Sequence, residues 1–403
     1  MFSVTLDPDM PGIIDTAGIS GNEVLWSVIG INLTLRTCSD SIVAMNKPHL
    51  TIVVPTFKEA ANVPILLEQV HSALKGYPFD VLVIDDNSPD GTADIVRRFS
   101  EQFHANVIVR TDKRGLASAV VDGFNAAKGE LIGVMDADLQ HPPEVMSRLV
   151  ATVNQTAADI VIASRYVPGG SVGNWSFIRK LISRGAVFLA HLLLPSTRGI
   201  KDPMSGCFLF RREVISGVGL SPVGYKILLE VICLGRSTKT VEVPYVFENR
   251  RAGTTKLSMI TQTDYLRHLV SLMRRTGELR RMLKFIGVGL SGSVVNLSLI
   301  ALLREAVGFN YLLAGAIAFE ISVIWNFMLN DRFTFSDRKR DGSKFISRLW
   351  RFNTTSLGGF IIYVCLLAAL TELIGLHYIL SAAVGIIAAF GWNFFINSTW
   401  TWK

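Results

Sequence analysis

Cysteine is nearly missing from this chain: there are four in 403 residues, Cys38, Cys207, Cys233 and Cys365, and no two are spaced as metal ligands. A zinc module and a disulfide framework are thereby set aside, and the thiols read as reduced and partly buried. Charge is also scarce. Charged residues make up 18% of the chain against 49% hydrophobic, and the mean hydropathy is +0.37, too apolar for an ordinary soluble enzyme. The start lacks the positive segment a signal peptide needs, since the apolar run VLWSVIGINLTL follows Asp7, Asp9, Asp15 and Glu23. Residues 1–48 therefore read as a poorly ordered extension. No nucleic-acid-binding motif accompanies the net charge of +7, which removes nucleic acid from the expected partners.

The apolar excess sits at one end. Residues 49–270 read as a globular domain, and residues 271–403 carry four stretches, near 284–303, 311–330, 355–374 and 377–397, each long enough to cross a bilayer. Basic residues cluster beside them: Arg274, Arg275, Arg280, Arg281 and Lys284 precede the first, and Arg332, Arg338, Lys339, Arg340, Lys344, Arg348 and Arg351 lie between the second and third. By the positive-inside rule, the globular domain, the middle loop and the C-terminus are expected on the cytoplasmic side. An internal repeat runs through this half. Trp325-Asn-Phe-x-x-Asn330-x-x-Phe-Thr-Phe335 recurs 67 residues later as Trp392-Asn-Phe-x-x-Asn397-x-x-Trp-Thr-Trp402, and Lys284-Phe285 and Gly292 map onto Arg351-Phe352 and Gly359. Two related helical hairpins in the same orientation are expected, each ending in an aromatic belt. Glu320 and Asn296 are costly inside such spans and are expected to pair with each other or to face the bundle interior.

In the globular half, short β-branched runs alternate with helical patterns: LTIVVP, FDVLVIDD, ANVIVR and ELIGVMDAD as strands, with amphipathic or small-residue helices between them. This alternation predicts an α/β domain with a mostly parallel, Rossmann-like sheet and helices on both faces. Polar residues gather after the carboxyl ends of the strands, where open α/β sheets bind ligands.

Asp136 and Asp138, one residue apart at such a strand end, can share a hard divalent cation such as Mg²⁺ or Mn²⁺, and Gln140 can add a neutral oxygen. An acidic turn capping a helix would look alike, but a second acidic strand end, Asp85-Asp86-Asn87, lies in the same domain. Together with Pro55-Thr-Phe57-Lys-Glu59 it suggests a nucleoside pocket. Phe57 can pack on a base, and Glu59 and Asp86 can accept hydrogen bonds from ribose or base.

The ordered set VVPTFKEAANVP, IDDNSPDGT, RGLASAVVDGF, MDADLQHPPE, SRYVPGG, DPMSGCFLFRRE, GYKILLE and VPYVFENRRAGTTKL resembles the GT-A glycosyltransferases of family 2 that make polyprenyl-phosphate sugars, above all the dolichyl-phosphate mannose synthases. The likeness runs from about residue 50 to about 260, and the membrane half resembles the GtrA-like domain fused to some members. Lys58, Cys207 and the second threonine of TTKL depart from the usual pattern without removing a metal ligand or an essential charge.

The resemblance implies inverting transfer of mannose from GDP-mannose to a polyprenyl phosphate (dolichyl or undecaprenyl). It implies a nucleotide-sugar set of Pro55, Phe57, Glu59, Asp86, Asp136, Ala137, Asp138, Gln140, Arg250 and Lys256. A metal would be held by Asp136, Asp138 and Gln140, and Asp138, Arg165 and Arg250 would stand at the reaction centre. A lipid phosphate is already an anionic nucleophile, so it needs cationic positioning rather than a strong base. Arg165, Arg250 and Lys256 can supply it, although any one arginine taken alone reads better as a surface ion-pair residue. Trp175–Leu194 fits an interfacial helix, with an ordinary core helix as the alternative; Arg179 and Ser183, one turn apart, could touch the acceptor phosphate. His141 reads as a hydrogen-bonding residue rather than a base. The four-helix domain would anchor the enzyme and is a candidate for homo-oligomer contacts. Two rivals stay open: a UDP-glucose or other UDP-sugar donor, and a transport or scaffolding protein for lipid-linked sugars.

Overall fold

The computed structural model describes residues 17–20, 23–28, 31–36, 49–112, 114–221, 223–248, 259–338 and 344–402; for the first three stretches and for residues 259–261 it describes the backbone alone. Strands β1 (Ala17–Ser20), β2 (Glu23–Val28) and β3 (Ile31–Arg36) pair as an antiparallel meander within the N-terminal extension, where the sequence pattern had suggested no strand.

The globular half alternates as the patterning predicts. Its first elements are β4 (Leu50–Thr56), α1 (Val63–Ala73), β5 (Phe79–Asp85), α2 (Thr92–Arg98), α3 (Ser100–Phe103), β6 (Ala105–Val109), α4 (Leu116–Ala126) and β7 (Leu131–Val134). After them come α5 (Glu144–Thr156), β8 (Ile160–Ser164), α6 (Phe177–Leu193), β9 (Phe208–Arg211), α7 (Ile227–Leu234), β10 (Thr240–Pro244) and α8 (Met259–Arg275). Seven strands form one sheet in the order β10-β8-β9-β7-β4-β5-β6, and within it only the pairings of β9 are antiparallel. The two-residue period of a strand separates two cores. Leu50, Ile52 and Val54 of β4 face α1 and α5, through Leu66, Val70, Met146 and Leu149. Val53 faces the other way, against Val120 and Phe124 of α4 and Leu228 and Val231 of α7. A third cluster, with Ala190, Leu229, Tyr265 and Leu269, binds α6, α7 and α8 together beneath the sheet edge.

The C-terminal half is helical: α9 (Glu278–Glu305), α10 (Tyr311–Leu329), α11 (Phe345–Ala368) and α12 (Tyr378–Ile396). With their π-helical extensions these are four helices long and apolar enough to cross a membrane. The third begins at Phe345, well ahead of the span expected from 355. The sequence repeat is a structural one. Each hairpin ends in a π-helical turn, Asn330–Thr334 and Asn397–Thr401, with a basic side chain on a carbonyl of that turn: Lys284 Nζ donates to Phe333 O at 3.0 Å and Arg351 Nη1 to Trp400 O at 3.0 Å. In each hairpin a glycine admits an asparagine of the facing helix, since a Cβ on Gly292 or Gly359 would collide with Asn326 or Asn393. The two copies meet at Phe335 and Trp402, whose rings stack at 4.4 Å and 10°. Around them Phe285, Phe327, Phe352 and Phe394 form the buried centre of the bundle.

The expected pairing of Glu320 with Asn296 is not what the helices make. Asn296 Nδ2 donates to Ser322 Oγ at 3.4 Å, while Glu320 Oε1 accepts from Asn353 Nδ2 at 2.6 Å. Hydropathy places such residues in a span but says nothing of which helix each will face.

Candidate active site

The two acids do not owe their proximity to strand alternation. β7 stops at Val134, and Met135–Gln140 continue as a turn in which Leu139 takes a left-handed conformation at φ 59°. The turn folds Asp138 Oδ1 back to accept from the Gln140 N–H at 3.1 Å. Asp136 is half-buried, Ala137 and Asp138 are buried, and Asp136 packs against Gly206, where a Cβ would sit 2.6 Å from its Oδ2. Gln140 Nε2 donates to Glu248 O at 3.3 Å, which leaves the amide oxygen as the atom for an ion. Among the described residues no group of three or more His, Cys, Asp or Glu gathers as a metal site. Two carboxylates and one amide oxygen nevertheless fit a hard divalent ion that keeps water or phosphate oxygens in its remaining positions.

A cavity of about 770 Å³ opens beside these acids. Its lining is polar at Asp136, His141, Arg165, Arg179, Ser183, Ser205 and Lys226. It is apolar at Leu116 and Val120 of α4, Ile178, Ile182 and Leu189 of α6, and Leu266 of α8. Sequence reasoning placed Asp136, Arg165, Arg179 and Ser183 at one site, and the fold brings all four to this cavity. It gave no role to Lys226, although the GYKILLE motif that holds it was among those carrying the resemblance. Lys226 Nζ donates to Met204 O at 3.2 Å. Burial pulls its pKa down to about 8; Arg165 and Arg179 push the same way, and Asp202 and Asp136 oppose them.

Arg165 is held more firmly than a surface cation. Its Nε and Nη2 donate to Asp202 Oδ2 and Oδ1, each at 2.7 Å, and its own N–H donates to Oδ2 at 3.0 Å. Asp202 is fully buried, and the guanidinium lies 5.4 Å from the Trp175 ring and 5.6 Å from those of Tyr166 and Phe247. Hydrogen bonds and charge from Asp202 outweigh the burial that would lower the arginine's pKa and hold it above its ordinary value. Arg179 stacks over Trp175 at 4.1 Å, and Ser183 Oγ shares a 2.8 Å hydrogen bond with Tyr166 Oη. His141 stacks on Tyr245 at 5.3 Å and meets the edge of Phe247. Burial pulls its pKa down to about 4, against the opposing charge of Asp138, so the ring is neutral at physiological pH. It shapes the wall rather than serving as a base.

The nucleoside candidates sit apart from the cavity, after β4 and β5. Pro55 is buried in β4. The Phe57 ring lies 5.5 Å from the Arg114 guanidinium and 5.4 Å from Lys58 Nζ. Glu59 Oε2 accepts from Asn62 Nδ2 at 2.7 Å. Asp86 is buried and committed: Arg110 Nε donates to its Oδ1 at 2.7 Å and Gly115 N–H to its Oδ2 at 2.8 Å. Asp86 thus orders the loop into α4 before it meets any ligand. Arg250 and Lys256 lie outside the described residues.

α6 spans Phe177–Leu193, with the Ser176 hydroxyl accepting from the Arg179 N–H at 3.3 Å. One face lines the cavity, and another exposes Phe177 (79%), Leu181 and Phe188 beside Lys180 and Arg184. That is the pattern of a helix lying in a membrane interface.

Comparison with known proteins matches this architecture. Residues 51–219 match Glycosyl transferase family 2, and residues 284–402 match the GtrA/DPMS transmembrane domain. A dolichol-phosphate mannosyltransferase of Pyrococcus furiosus is 43% identical over 357 residues, 88% of this chain and 99% of that protein. A polyprenol monophosphomannose synthase of Mycolicibacterium smegmatis is 36% identical over 51% of this chain and 80% of its own length. Among solved structures, glucosyl-3-phosphoglycerate synthase from Mycobacterium tuberculosis superposes with a TM-score of 0.46 at 17% identity, over 57% of this chain and 81% of that one. The chain is an integral membrane enzyme and belongs to the dolichol-phosphate mannosyltransferase family, a family 2 glycosyltransferase fused to a GtrA-type transmembrane domain.

Proposed function

We propose that the chain transfers mannose from GDP-mannose to a polyprenyl phosphate at the cytoplasmic face of the membrane, with inversion at the anomeric carbon and in dependence on a divalent metal. The observation that carries this reading is the mixed lining of one cavity, where an acid and three cationic side chains stand with apolar side chains of α4, α6 and α8. An amphiphile with an anionic head fits such a lining, and a sugar phosphate without a lipid would leave its apolar walls uncovered.

Asp136, Asp138 and Gln140 would hold Mg²⁺ or Mn²⁺, which when bound offsets the charge developing on the departing nucleoside diphosphate. The rest falls to side chains. Arg179 and Lys226 draw the acceptor phosphate into the cavity against electrostatic repulsion from the donor. Arg165, clamped by Asp202, presents a fixed guanidinium whose remaining nitrogen, Nη1, can donate to a phosphate oxygen. Ser183 fixes the phosphate's orientation through its hydroxyl. The acceptor oxygen forms the new bond to the anomeric carbon as the bond to the diphosphate breaks; no proton needs to be removed, which agrees with the neutral His141 beside it. Arg250 and Lys256 are proposed to bind the diphosphate of the donor. The basic residues flanking the spans orient the catalytic half and the C-terminus to the cytoplasm.

The test is transfer of label from GDP-mannose, beside UDP-glucose, to a long-chain polyprenyl phosphate in the presence of Mn²⁺ or Mg²⁺. Label moving from GDP-mannose into the organic phase, and lost with chelator, is expected. Label from UDP-glucose alone would keep the mechanism and replace the donor; transfer from neither would overturn the reading.

A further inference from the structure

The internal repeat builds two equivalent sockets, and they are filled from different places. At the first, Asp331 Oδ1 accepts from Arg348 Nε at 2.9 Å and from the Trp402 indole N–H at 2.9 Å. Arg348 belongs to the other hairpin, so this bond staples one hairpin to the next. The 67-residue offset carries Asp331 onto Ser398 and Arg348 onto Arg281. Strict symmetry would send Arg281 to Ser398. Arg281 instead pairs with Glu278 and Asp337. Ser398 is taken by an arginine of the catalytic domain: Arg198 Nη2 donates to its Oγ at 2.9 Å and Nη1 to its carbonyl at 3.4 Å.

The same guanidinium caps the end of α6. Its Nε donates to His191 O at 2.8 Å and Nη2 to Leu192 O at 3.4 Å, and its plane lies 4.9 Å from the Phe395 ring of α12. Burial pulls its pKa down to about 10, with Arg338 acting the same way and Glu278 opposing, so it stays charged at neutral pH. Arg198 is therefore a polar tie between the cavity wall, α6, and the membrane bundle, beside the apolar cluster that packs α6 with Leu279 and Met282. It does not itself line the cavity.

We propose that Arg198 and the Asn397–Thr401 turn form a docking joint that sets the tilt of α6 against the membrane domain, making Arg198 a positioning residue for a phosphate acceptor that is embedded in the bilayer. This rests on the acceptor reading above. The lever is long: at 1.5 Å per residue, Arg179 stands ~18 Å from His191, and a tilt of ~5° would carry it by ~1.5 Å. Where the site moves with α6, the displacement is one relative to the membrane: it burdens an acceptor phosphate held at the depth of the bilayer and spares one that arrives from water. The substitution of serine for aspartate at the second socket is what opens it. An aspartate there would offer the symmetry-related Arg281 a partner, whereas a serine hydroxyl and a free carbonyl accept from an incoming guanidinium without a competing ion pair.

The test uses the full chain in lipid nanodiscs, with a long-chain polyprenyl phosphate in the bilayer and a short-chain, water-soluble prenyl phosphate as parallel acceptors. Arg198→Ala is expected to raise KM for the bilayer acceptor about tenfold, while KM for the donor and turnover of the short acceptor stay within about twofold. Arg198→Lys, which keeps a donor for Ser398, should recover much of the loss, and Ser398→Ala should reproduce part of it. Equal loss on both acceptors, or no loss on either, would overturn the joint. If the unsubstituted protein serves neither acceptor, the activity reading is what fails. The joint is then judged by thermal unfolding of Arg198→Ala, Ser398→Ala and the double variant: non-additive shifts in Tm support it, and additive shifts overturn it.

Discussion

Arg165 and Asp202 form the most enclosed ion pair at the site, and the consequence of opening it can be stated in advance. Replacing one partner leaves the other charge in a nearly dry environment, which typically costs about 3–5 kcal/mol. Asp202→Asn should therefore lower the thermal midpoint in detergent micelles and abolish transfer together, whereas an acid outside the core would affect neither. Asp138 behaves differently. Its carboxylate accepts from the Gln140 N–H, a bond that an amide oxygen can keep, so Asp138→Asn should leave the unfolding curve within about 1 kcal/mol and reduce transfer at least a hundredfold. Metal titration of the variant's intrinsic fluorescence, if saturable as in the unsubstituted protein, would count against Asp138 as a ligand. Retained turnover would count against it more directly.

Among the elements, α7 and α8 are joined through one buried carboxylate. Glu230 accepts from Arg275 Nη1 at 3.1 and 3.2 Å and from the Ser221 N–H at 2.8 Å, with His268 Nε2 3.4 Å away. Burial alone would raise its pKa, but the nearby His268 ring, the Ser221 hydrogen bond and the charge of Arg275 outweigh it and hold the group below its ordinary 4.5. For a carboxyl depressed in the folded state, the added stability is complete above the unfolded value and disappears as pH falls through the folded one. Stability of the α7–α8 contact should thus be flat from neutral pH down to about 4.5 and then decline. In Glu230→Gln that acid-dependent step should be smaller, and stability at neutral pH should be lower by about 1.5–3 kcal/mol; thermal scans from pH 7 to pH 3.5 read both. Helix α6 offers a second prediction. Phe177 and Leu181 are exposed and lie off the cavity, so Phe177→Asn with Leu181→Asn should not unfold the domain. Losing about 1.5–3 kcal/mol of membrane burial per side chain should raise the apparent KM for a bilayer acceptor tenfold or more. An unchanged KM would mean that this face does not enter the interface.

On the scale of the whole molecule, the membrane domain is held at one level. Trp402 is almost fully buried, stacks on Phe335 and donates to Asp331, and so joins the last residues of the chain to both hairpins. Trp402→Ala should cost about 3–5 kcal/mol through the cavity it leaves. The loss would appear as a lower Tm of the detergent-solubilised enzyme, while transfer measured well below the new midpoint should survive. Loss of transfer without loss of stability would instead assign Trp402 a part in acceptor handling.

Much of this protein was legible in one dimension because the relevant forces act locally. The β-branched runs at 50–56, 79–85 and 105–109, and the small-residue helix at 116–126, appear where their patterns placed them. The four spans are set by length and hydropathy, and the repeat declares two like hairpins. The acids at 136 and 138 stand out because carboxylates rarely follow a buried strand. What the linear pattern could not show depends on contacts between distant segments. The antiparallel β9 and the place of β10 at the sheet edge, with β8 beside it, depend on pairing partners tens of residues away. Lys226 becomes a cavity residue only when α7 packs beside Arg165 and Asp136. Asp86 reads as a ligand group in sequence, and its pairing with Arg110, 24 residues on, is seen only in the fold. Glu320 selects Asn353 over Asn296, and Ser398 receives Arg198, 200 residues away. Side-chain chemistry fixes what each group can bind, and packing alone decides which group arrives.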